Sequence, residues 1–160
     1  MNELFPDANR ANDIRRLNIL WHSMLPGAIV IVIAVLYALT RGGAYAPPAV
    51  EEPLAAYLPV IFAAGLFFGI GLALFLKPRL PGLVARNVSD QPFQRASAAM
   101  FTLAGAADAP AIIGLGIYMM MPADWLAAAI AFYAIAAGVL FKPDFGALLA
   151  VERREFGARG

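Results

Sequence analysis

The sequence predicts an all-α integral membrane protein with four transmembrane helices, and three observations carry that prediction. Mean hydropathy is +0.71, and 61% of the 160 residues are hydrophobic. Only 14% are charged, against about 25% in a typical soluble domain. Four apolar runs, at residues 19–40, 54–76, 97–121 and 125–141, each approach the ~20 residues that cross a ~30 Å hydrocarbon core. Lipid offers the backbone no hydrogen bonds, so such runs form helices, which satisfy their own amides. The four spans read as one membrane domain over residues 1–160.

The first span should stay in the mature chain, because the first ten residues are acidic and polar where a secretory signal would begin its apolar core. Basic residues then orient the spans. Arg10, Arg15 and Arg16 precede the first span, and Lys77, Arg79, Arg86 and Arg95 lie between the second and third. Lys142, Arg153, Arg154 and Arg159 follow the fourth, whereas Arg41 alone falls on the opposite side. The positive-inside rule therefore expects an inner (cytoplasmic) membrane protein with both termini and the middle loop in the cytoplasm. Trp21 at the inner end of the first span, and Tyr37, Tyr57, Tyr118 and Trp125 near outer ends, read as interfacial anchors. Residues 41–52 form a turn-rich connector. Residues 121–124 force a tight hairpin, and Asp124 is placed to cap the fourth helix.

Other chemistries find little support. A net charge of +1 gives no case for a nucleic-acid partner, and the absence of cysteine excludes disulfides and thiolate sites. No Gly-rich phosphate cradle, nucleophile–base set or histidine cluster is present. Met119, Met120 and Met121 have no second methionine cluster to suggest copper. No enzyme activity, metal or cofactor is expected; the expected partners are the lipid bilayer and either further copies of the chain or a larger membrane complex.

The spans also suggest two duplicated helix pairs. The second and fourth begin with an aromatic–Leu pair, Tyr57-Leu58 and Trp125-Leu126, and end at Lys77-Pro78 and Lys142-Pro143. The first and third share a proline before an apolar stretch, at Pro26 and Pro110. The Lys-Pro ends are also what helix termination at a cytoplasmic boundary produces.

Asp108 is the one formally charged side chain in the middle of an apolar run. An ionised carboxylate there costs on the order of 2.5–3.5 kcal/mol, and a bound proton removes most of that cost. Pro110 lacks an amide hydrogen, so the Ala106 carbonyl loses its helical donor. A protonated Asp108, a hydroxyl such as that of Thr102, or water can fill the gap. Gly105 and its alanine neighbours let another helix approach closely. Gly65 and Gly69 on the second span form a small-x-x-x-small pair, with Gly71 beyond. A sodium site needs several oxygen ligands, so a proton is the expected occupant. The opposing reading is a carboxyl that pairs locally and serves packing alone.

The stretch Arg86-Asn-Val-Ser-Asp-Gln91-Pro92, followed by Ala107-Asp108-Ala109-Pro110-Ala111-Ile112-Ile113-Gly114-Leu115, resembles the subunit c proteolipids of rotary ATP synthases and ATPases. The resemblance covers residues 60–120, with a thinned glycine run and an extra span at each end. It implies that Asp108 matches the proton-carrying carboxylate and that Gly65, Gly69 and Gly71 match the Gly-rich helix. By this resemblance the protein binds a proton and contributes to proton translocation in an oligomer. The alternative is a non-catalytic accessory subunit of a larger membrane complex.

Overall fold

A computed structural model describes residues 6–152, and every element among them is helical. Arg153, Arg154 and Arg159, which entered the orientation argument, lie outside the described residues. Helix α1 (Pro6–His22) passes through a π-helical turn (Ser23–Ala28) into α2 (Ile29–Arg41), so the first apolar run belongs to one continuous rod. Helix α3 (Glu52–Leu76) continues through a 3-10 turn (Lys77–Arg79) into α4 (Leu80–Arg86). Then come α5 (Pro92–Met120), α6 (Asp124–Leu140) and the short α7 (Phe145–Leu149). Asn9–Arg41, Glu52–Arg86 and Pro92–Met120 are long and apolar enough to cross a membrane. Helix α6 is equally apolar but shorter, with 17 residues.

The proline positions explain several boundaries. Pro53 and Pro92 stand in the first turns of α3 and α5, where no amide hydrogen is needed. Pro78 was expected to end the second span. It sits instead in the first turn of the 3-10 segment, and Pro81 in the first turn of α4, so the helical path continues through both. After α6 the chain does break, at Phe141, and Asp144 caps α7 by accepting the Ala147 amide at 3.0 Å.

Helix α5 is the centre of the molecule. Helix α3 packs along one side and α6 along another, while the α1–α2 rod closes against α6. Leu17, Leu25, Val84, Met100, Leu103 and Phe145 gather at one end, and Ile29, Leu58, Phe62, Ile117 and Ile130 at the other.

Two expected anchors prove to be core residues. Trp21 is fully buried and donates its indole N–H to the Gly138 carbonyl at 2.7 Å, because α6 lies directly across the rod. Tyr118 is 2% exposed and shares a hydrogen bond of 3.0 Å with the Thr40 hydroxyl. Tyr37, Tyr57 and Trp125 remain exposed. Asp124 is not an N-cap: Ala123 holds that place, and the Asp124 carboxylate pairs with Arg41 across the tip of the bundle.

Basic side chains stitch the other end together. Arg10 donates to Gly146 O at 2.9 Å, Lys77 to Leu140 O at 2.8 Å and the buried Arg95 to Val151 O at 3.2 Å. Lys77 thus satisfies the exposed carbonyl end of α6, where a cation is favoured.

Candidate functional site

Asp108 lies near the midpoint of α5, on the border between the buried face of that helix and its outer face. Its neighbours Ala107 and Ala111 are buried, whereas Gly105 meets open space and Ile112 is exposed. The carboxyl is half-buried. Its Oδ1 is inaccessible to solvent and has no hydrogen-bond partner. A buried polar atom without a partner is rare and carries a desolvation penalty of about 1–3 kcal/mol, more when charged.

Helix α3 comes close to α5 along the face that carries Ala106, Pro110 and Ile113, because its glycines admit it. A Cβ on Gly69 would lie 2.3 Å from Pro110 Cγ and 3.3 Å from the Ala106 carbonyl oxygen. The carbonyl that Pro110 deprives of a donor therefore faces Gly69, and the Asp108 carboxyl does not fill the gap. Gly65 stands over Ile113, and Gly114 is enclosed by Phe62 and Ile130. These three glycines do pack helices inside one chain. Gly71 and Gly105 have open space where a Cβ would be, so they pack against no neighbour among the described residues. Thr102 is exposed, and its hydroxyl donates to Ala98 O at 3.1 Å on its own helix, so it is not brought to Asp108.

Tyr133 also stands beside this site, although the sequence alone did not assign it there. It sits in the middle of α6 and donates its phenol to the Ala107 carbonyl at 2.8 Å, one residue from Asp108 and within electrostatic reach of it. A lone tyrosine inside an otherwise apolar span was the available signal, because a buried phenol needs an acceptor.

The arrangement supplies one carboxyl, one phenol and a freed carbonyl in apolar surroundings. Among the described residues no group of three His, Asp or Glu comes together. A carboxyl and a phenol are each groups able to carry a proton. No family model, curated protein or solved structure matches this chain.

Proposed function

We propose that the protein is a four-span, proteolipid-like membrane protein in which Asp108 binds a proton and contributes to proton translocation in an oligomer. The observation that carries this reading is the Asp108 Oδ1 atom, buried at mid-helix without a donor or a cation. A carboxylate so placed is neutralised most simply by a proton. Tyr133 supports the reading, since its phenol donates to the Ala107 carbonyl one residue from Asp108 and lies within electrostatic reach of the carboxyl. Helix α6, at about 25 Å by the ~1.5 Å rise per residue, serves as the fourth span with little tilt. The collection of Arg10, Lys77 and Arg95 at one end supports cytoplasmic termini. Contacts between copies would use the open small-residue positions Gly71 and Gly105.

Two duplicated helix pairs are supported by reciprocal packing. Pro110 of the third span seats against Gly69 of the second, and Pro26 of the first seats against Gly138 of the fourth. Parallel repeats related by an axis along the membrane normal exchange contacts in this way.

A hydrophobic carbodiimide, which attacks protonated carboxyls within lipid, tests the assignment. Labelling should fall as pH rises and disappear in Asp108→Asn. Absent labelling, or labelling that survives the substitution, ends the proton-binding reading. The second reading, an accessory subunit, draws on one observation: Gly65 and Gly69 are already consumed inside the chain, so that face is closed to ring packing. Native extraction separates the two. A homo-oligomer supports the first, and a single copy bound to much larger partners supports the second.

A further inference from the structure

We propose that the groove between α3 and α6 seats an acyl chain of an anionic phospholipid whose phosphate meets the Lys77 ammonium. Both helices rest on α5, and they leave between them an apolar groove of about 390 Å³. Phe62, Leu66 and Ile70 form one wall, and Ala129, Ala136 and Leu140 the other. Tyr133 is the polar member of the lining, and its hydroxyl is already engaged by the Ala107 carbonyl. The groove therefore suits an unbroken hydrocarbon rather than a ligand with polar groups along its length.

The length agrees. From Ala129 to Leu140 the wall of α6 covers about 17 Å, close to the ~15 Å depth of one leaflet's hydrocarbon. The groove ends at the basic end of the bundle, and Lys77 stands at that mouth. Its ammonium donates to the carbonyl of Leu140, a groove residue, at 2.8 Å. An ammonium has three donors, so two remain for a headgroup oxygen. Arg79 is diverted, stacked 3.5 Å from the Phe75 ring centroid and donating to Phe75 O. Lys77 is thus the cation at the mouth, with exposed Lys142 on the loop that follows Leu140. Basic sites between transmembrane helices favour anionic headgroups, whereas a zwitterionic lipid would bring its own cation against Lys77.

The full chain, purified in detergent, can be mixed with equal amounts of phosphatidylglycerol and phosphatidylcholine bearing identical tails, and bound lipid read by native mass spectrometry. Phosphatidylglycerol should be retained about fivefold over phosphatidylcholine, the size of one lysine's attraction to an anionic surface. Lys77→Met should abolish the preference, and Lys77→Arg should keep it. Ala136→Phe should block both lipids by filling the groove, with Ala129→Leu as a milder substitute if the larger side chain prevents folding. Equal retention of the two lipids by the unaltered protein overturns the proposal. So does a preference that survives Lys77→Met, or an oligomer that retains no lipid. None of these outcomes depends on the proton-binding role of Asp108.

Discussion

Pro26 and Pro110 each stand inside a membrane-length helix, and each abuts a glycine on a helix from the other half of the chain. Around Pro26 the backbone widens into the π-helical turn Ser23–Ala28, whereas around Pro110 the α-helix runs on unbroken. The residue after each proline accounts for the difference. In the widened turn the His22 carbonyl oxygen comes to 2.9 Å from where a Cβ on Gly27 would be, a contact that glycine alone tolerates. Pro110 is followed by Ala111, whose methyl opposes the same widening. The α register then persists, and the Ala106 carbonyl is left facing Gly69. A proline takes the same donor from both helices; the next side chain decides whether the backbone or the neighbouring helix absorbs the loss.

The largest expected effect is at the Pro110 seat. Gly69→Ala sets a methyl 2.3 Å from a rigid pyrrolidine ring, and should lower stability by about 3 kcal/mol, read as the denaturation midpoint in detergent. A midpoint equal to that of the unaltered protein would falsify the close α3–α5 approach. Gly27→Ala should cost about 2 kcal/mol, because the opposing atom is backbone and cannot swing away. If this variant is as stable as the parent, Gly27 is not what permits the π turn. Gly138→Ala meets Pro26 at 3.0 Å, a margin the ring can yield, so about 1 kcal/mol is expected. Equal losses at positions 69 and 138 would erase the asymmetry between the seats.

Tyr133→Phe tests the region between the seats. It removes one donor from a carbonyl, so its stability loss should be about 1 kcal/mol or less. Its effect on carbodiimide labelling of Asp108 should be the more telling readout. Labelling with the pH profile of the parent would remove Tyr133 from the site. Smallest of all, Gly71→Ala should stabilise the monomer by about 0.5 kcal/mol through a stiffer unfolded chain. A loss of oligomer with no loss of monomer stability would assign that face to contacts between copies.

Much of this architecture was legible in the residues. The apolar runs located α3 and α6 closely and lay along α5 and the α1–α2 rod, whose starts they placed too late. Hydropathy and length demand helices in lipid but do not mark where a helix continues beyond it. Asp108 stood out because one charge in an apolar run is costly wherever the neighbours lie. Trp21 was misread because its place near a span end matches both an interfacial anchor and a core residue; only the Gly138 carbonyl across the rod separates the two. Thr102 was misread for a similar reason. It is close to Asp108 along the chain, but its hydroxyl is turned to its own helix.

What the sequence by itself determined is therefore one-dimensional: helical spans, the concentration of basic residues between particular spans, and the lone mid-span carboxyl. The tertiary structure decided which glycines are crowded and which are open, which tyrosine bonds the carbonyl next to Asp108, and where a groove remains between α3 and α6. The physical reason is that these helices are apolar on every side. Lipid is as apolar as a neighbouring helix, so no hydrophobic stripe marks the packed face, and close fit between surfaces chooses it instead.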